Sequence, residues 1–152
     1  MGKKKPAGQE IILLVDYLER LLNWKLWIDK ADELLAGSKA LETLVRNRWN
    51  VIKDDFKEGR YSEGDKTPHR LPQNLQGPYF MLVAYALENL FKAVIVQQQE
   101  KKVREQVLNT RRLPKIIEGH DLVALAQAVG LAINVSEEDL LTRLCWNSIW
   151  AG

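Results

Sequence analysis

Apolar residues recur at helical spacing along most of the chain. From Gln9 to Ala36 they fall at Leu14, Leu18 and Leu21, then at Trp24, Trp27, Ile28, Ala31, Leu34 and Leu35, the period of a helix with one buried face. Gly37 predicts a stop and Ser38 the N-cap of a second helix over Lys39–Phe56, which carries Leu41, Leu44, Val45, Trp49, Ile52 and Phe56; a continuous helix kinked at Gly37-Ser38 is the alternative. Residues 57–78, "KEGRYSEGDKTPHRLPQNLQGP", hold three Gly, three Pro and few large apolar side chains, so they predict a long surface loop. Gly77-Pro78 then opens a helix near Tyr79, which continues through "QQQEKKVREQVLN" as an exposed extension.

"TRRLPKIIEGH" predicts a connector, since Pro114 opposes helix continuation. "HDLVALAQAV" predicts a short helix with Leu122, Leu125 and Val129 on one face, ended by Gly130. "SEEDLLTRLCWNSIW" predicts a last helix with Ser136 as N-cap and acids in its first turn. Leu140, Leu141, Leu144 and Cys145 give it an inward face. No useful strand-like alternation and no internal repeat interrupts the pattern. The expectation is an all-α fold: an up-and-down helical bundle of about four principal helices plus an N-terminal helix. Residues 1–8 form a basic tail and residues 9–152 a single domain.

"FMLVAYALENLFKAVIVQ", residues 80–97, poses the sharpest question. A membrane span needs about 20 apolar residues and resists central charges, whereas Glu88, Asn89 and Lys92 arrive together after the run from Tyr79 to Leu87. The segment therefore predicts a core or interface helix. On a helical wheel Phe80, Ala84, Leu87, Phe91 and Val94 share one face, and Leu82, Ala86, Leu90 and Ala93 a second. Such a helix is expected to be buried on two sides, in a core or between protomers. Glu88 and Lys92, at i and i+4, suit an ion pair. Either they form a structural pair at the core margin, or they line a polar cleft with His120 and Asp121 from the next helix.

Charge and composition narrow the functional classes. The net charge of +2 over 152 residues does not by itself indicate a nucleic-acid binder. One cysteine, Cys145, excludes an internal disulfide and fits a reducing, cytoplasmic setting; among apolar neighbours it reads as a packing residue. The lysines of "MGKKKPAGQE" are followed by Asp16, Glu19 and Arg20 and by no small-residue cleavage site, so no signal peptide is expected.

The motifs "YALENLFKAVIVQ", "GHDLVALAQAVG" and "SEEDLLTRLCWNSIW" resemble the HEPN superfamily of higher-eukaryote and prokaryote nucleotide-binding domains. Ala84, Leu87, Glu88, Lys92 and Ala93 fall on the pattern of its long helix, and His120, Asp121, Leu122 and Leu125 on its Gly/Thr-His-Asp-Leu helix start. "WIDKADELLAGSKAL" also resembles its first helix. The resemblance implies an all-α bundle, frequently a homodimer, with members in toxin–antitoxin pairs and phage defence, many of them metal-independent RNases. Those RNases use an Arg, four to six intervening residues, then His, on the last helix or just after it. Such chemistry pairs a His acid–base with an Arg that stabilises phosphorane-like charge.

This chain departs from that pattern. His69 has Arg60 too far upstream and Arg70 next to it, and His120 follows Arg112 with seven residues between. The reading is a non-catalytic dimeric module that binds nucleotide, RNA or an antitoxin-like partner protein, with no membrane role. The alternatives are an RNase whose motif is degenerate or lies beyond Gly152, and a structural or regulatory interaction subunit, to which five Trp lend support. For nucleic acid, Lys101, Lys102, Arg104, Arg111, Arg112 and Lys115 are either phosphate ligands or a solvated charge run; aromatic residues for base stacking are absent there. No metal-ligand spacing, phosphate loop or dinucleotide turn occurs, so neither metal nor cofactor is expected.

Overall fold

The computed structural model describes the backbone of residues 7–59 and 72–150 and the side chains of residues 15–59 and 72–146. Most of the expected 1–8 tail falls outside them, as do residues 60–71 of the expected loop, His69 included. Among the described residues are six helices and no strand. They are α1 (Ala7–Leu22), α2 (Trp24–Lys57), α3 (Gln76–Thr110), α4 (Lys115–Glu118), α5 (Leu122–Ala128) and α6 (Val135–Trp150).

The first break falls at Asn23, not at Gly37-Ser38. Asn23 has φ −79° and ψ 86°, which no helix accepts, and the indole N–H of Trp27 donates to the Leu21 carbonyl at 2.9 Å. That carbonyl lies at a helix end, where backbone acceptors lack partners. Ser38, by contrast, stays inside α2 because its hydroxyl donates back to the Leu35 carbonyl at 2.8 Å, which satisfies a buried polar group without leaving the helix. Gly37 marks a close approach: a Cβ there would stand 3.4 Å from Leu82 Cδ1 of α3.

α2 and α3, 34 and 35 residues long, are the frame of the molecule. Gly37 meets Leu82, while Arg48 further along α2 donates to the Pro72 carbonyl ahead of α3. The two helices therefore run antiparallel. That register, continued toward the start of α2, brings the small, buried Ala31 level with Glu88. Pro78 sits in the first turn of α3, where its missing N–H is harmless.

The second half of α3 is less exposed than its polar sequence implies. Val103 and Val107 are each 2% exposed and join Leu18, Leu21 and Leu22 of α1, Ile117 of α4, Leu122 and Leu125 of α5, and Leu141 and Leu144 of α6 in the apolar core. Gln99, at φ −122° and ψ 24°, bends the helix between its two halves. Neither side of the first half is fully covered: on the first, Ala84 is buried but Phe80, Leu87, Phe91 and Val94 are half-buried, and on the second, Ala86 and Ala93 are buried while Leu82 is half-buried and Leu90 exposed. The expected burial on both sides is thus incomplete within one chain. By length and composition α3 is the one helix among the described residues able to cross a membrane.

Local chemistry fixes the smaller helices. Asp121 caps α5, its Oδ1 accepting from the amides of Val123 at 3.0 Å and Ala124 at 3.1 Å. The cap of α6 is Asn134 rather than Ser136. Asn134 Oδ1 accepts from the amides of Ser136 and Glu137, and Glu137 accepts from the Asn134 amide at 2.8 Å, a reciprocal capping box. Of the expected inward face, Leu141 and Leu144 lie in the core, whereas Leu140, at the edge of that face, is 55% exposed.

Candidate functional site

Midway along α3 the helix buries two charges. Glu88 and Lys92 are 7% and 4% exposed, and Lys92 Nζ donates to Glu88 Oε1 at 2.6 Å. The spacing of one helical turn makes the pair possible. Mutual compensation makes it tolerable, because either charge buried singly is strongly unfavourable. The sequence left open whether the pair is structural or faces a cleft, and the third group bears on that.

His120 reaches back from the connector between α4 and α5. Its Nδ1 lies 3.0 Å from both carboxylate oxygens of Glu88. A carboxylate already held by an ammonium can only accept, so the contact assigns a hydrogen to Nδ1 and leaves Nε2 as the outward-facing ring nitrogen. The His120 side chain is 60% exposed. The His120 carbonyl is held as well, accepting from the Cys145 thiol of α6 at 3.3 Å. One residue therefore ties α3, the connector and α6 together while presenting a ring edge outward.

Asp121 stands apart from this group. Its hydrogen bonds are those of the α5 cap, which accounts for an acid at that position without a part in the cluster. It borders two hollows beside the connector. One, of about 240 Å³, is lined by Lys115, Ile116, Gly119, Asp121, Ala124 and Leu125. The other, of about 330 Å³, lies between α5 and α6 against Asp121, Val123, Glu138, Thr142, Cys145 and Trp146. Cys145 thus serves as more than inert packing: it fixes the connector from the α6 side.

The basic residues do not form one patch on one element. Lys101, Lys102, Arg104, Arg111, Arg112 and Lys115 are all exposed. Arg104 pairs with Glu100 at 3.0 Å across a turn. Lys101 and Lys102 border a shallow recess of about 720 Å³ along Gln97–Lys102 at the bend, away from His120. Arg111 closes α3 with a positive φ of 58°, and Arg112 and Lys115 follow on the segment that leads to His120. Among the described residues no group of three or more His, Cys, Asp or Glu side chains is arranged to hold a metal ion.

Sequence reasoning located Glu88, Lys92 and His120 but gave no sign of the Cys145 contact, which joins residues far apart in the chain. Compared with known proteins, the chain matches no family model, no curated protein and no solved structure.

Proposed function

We propose that this chain is a HEPN-like helical domain of the cytoplasm that acts by binding a nucleotide or RNA rather than by catalysis, in the manner of modules from toxin–antitoxin or phage-defence systems. The reading is carried by one observation. Glu88, Lys92 and His120, three positions at which the motifs of that superfamily are legible, meet at a single centre with an imidazole edge toward solvent. An imidazole nitrogen facing solvent can exchange hydrogen bonds with a ribose hydroxyl, which both donates and accepts. Arg111, Arg112 and Lys115 precede it closely in sequence and supply cations for phosphate. The antiparallel α2–α3 pair with α5 and α6 packed beside it agrees with the up-and-down bundle of that superfamily. A non-catalytic role is supported by the seven residues between Arg112 and His120 and by the place of His120 ahead of α5 rather than on α6.

The test is binding of mononucleotides and a short single-stranded RNA at about 50 and 200 mM salt, with the His120 ring followed by NMR. Expected are shifts of the His120 ring signals on addition of ligand, weaker RNA binding at the higher salt, and loss of about tenfold in affinity for His120→Ala. Silence of both ligand classes at low salt would refute the reading, and RNA cleavage that His120→Ala abolishes would replace it with a nuclease. A regulatory protein-interaction subunit is the second reading. It is favoured by Trp49 and Trp146, which are 45% and 62% exposed, since Trp is enriched at the hot spots of protein interfaces.

A further inference from the structure

α2 carries two parallel rows of side chains outside the core. Leu35, Trp49 and Phe56 are spaced by multiples of seven residues, so they line up along about 30 Å of one side of the helix. They are 39%, 45% and 74% exposed. Lys39, Arg46 and Lys53, also seven residues apart, form a second row about 40° round the helix, and all three are exposed. The apolar line is interrupted once, by Glu42, whose carboxylate pairs with Arg46. A single exposed leucine needs no explanation, but an apolar line with two aromatic rings, bordered by cations, does.

We propose that this side of α2 lies on the surface of an anionic bilayer, with Leu35, Trp49 and Phe56 dipping among the headgroups and Lys39, Arg46 and Lys53 against acidic lipid. Charge complementarity selects this occupant. Helices that lie in the interface plane combine Trp, Phe and Leu with Lys and Arg in this way. An indole favours the headgroup level, and the long stem of a lysine or arginine follows apolar surface while its charge stays with the headgroups. A helix lying in that plane needs no long apolar run, so it escapes a search for spans.

Packing disfavours a partner helix as the occupant. Lengthwise helix packing uses two adjacent apolar rows on each helix. On one flank of the line, Ser38 is buried and Val45 and Ile52 are half-buried, and on the other flank stand the cations. A single apolar row so bordered offers a second helix little groove, yet it meets a plane along its whole length. The inference does not rest on the nucleotide reading, and its test contains neither nucleotide nor RNA.

The experiment is flotation of the full chain with vesicles of phosphatidylcholine alone and of phosphatidylcholine with phosphatidylserine, at about 50 mM salt and again at about 500 mM. The protein is expected to float with the phosphatidylserine vesicles at low salt and to be released at high salt. Lys39→Gln with Lys53→Gln is expected to weaken binding more than about tenfold, and Phe56→Ala about tenfold, each with an unchanged far-UV spectrum because the positions are exposed. No flotation at low salt overturns the proposal, whether or not RNA or an acidic protein proves to bind the ridge instead. Equal flotation with both vesicles, or undiminished flotation of the lysine variant, also overturns it. An equal loss for Lys101→Gln with Lys102→Gln moves the contact to α3, and protein that high salt does not release has inserted its apolar helix; either result overturns it too.

Discussion

Replacing Lys92 by Met is the most demanding test of the Glu88 centre. The thioether side chain keeps most of the length and apolar bulk of the lysine stem, so the packing loss is small. What changes is the charge. The Lys92 and Glu88 side chains are 5% and 10% exposed, and removal of the ammonium leaves a carboxylate with one remaining side-chain donor, His120. Breaking a buried ion pair from one side costs about 3–5 kcal/mol. The outward-facing imidazole offsets part of this by supplying a charge-assisted hydrogen bond, worth about 1.5–3 kcal/mol against a charged acceptor. Because that bond already exists in the parent, the offset is at most its gain on strengthening, and a net loss of about 2–4 kcal/mol is expected. Glu88→Gln together with Lys92→Met removes both charges and should recover at least half of it. The measurement is urea denaturation followed by far-UV circular dichroism at one fixed protein concentration, read as a double-mutant cycle. A loss under about 1 kcal/mol for Lys92→Met, or a double variant as unstable as the single one, would show that the pair is not the compensated buried unit described above.

Three further outcomes follow from local geometry. Asn134→Ala removes both amide contacts at the start of α6 and should lower stability by about 1 kcal/mol, whereas Ser136→Ala should change it by less than half as much; equal effects would return the cap to Ser136. Arg111→Gly relieves a non-glycine residue of its positive φ and should raise the denaturation midpoint by an amount equivalent to about 0.5–1 kcal/mol, while a fall would mean that the arginine side chain supports the fold. Gly37→Ala places a methyl at ordinary contact distance from Leu82 Cδ1 and gains helix propensity, so thermal unfolding should move upward or stay put. Gly37→Leu should destabilise by about 1–3 kcal/mol through overpacking against α3, and a neutral leucine would disprove the close approach of α2 and α3.

Periodicity alone was sufficient to make this chain all-α, because a 3.6-residue repeat of apolar side chains has no other way to bury itself. It also selected Leu122, Leu125, Leu141 and Leu144 as core residues, which they are. The i to i+4 order of Glu88 and Lys92 foretold their ion pair. Local signals failed where two of them competed: Gly37-Ser38 reads as a break, yet Ser38 satisfies itself inside α2 and Gly37 answers to Leu82 on another helix. The actual break, at Asn23, depends on an indole four residues later reaching a carbonyl two residues earlier. The cap rules pointed to Ser136, whereas Asn134 caps α6 through reciprocal contacts with Glu137. Tertiary structure alone determined that His120 meets Glu88, that Asp121 does not, and that Cys145 holds the connector. Those contacts span 25 and 32 residues, a separation at which chain periodicity carries no information and only the way helices pack decides which side chains share a space.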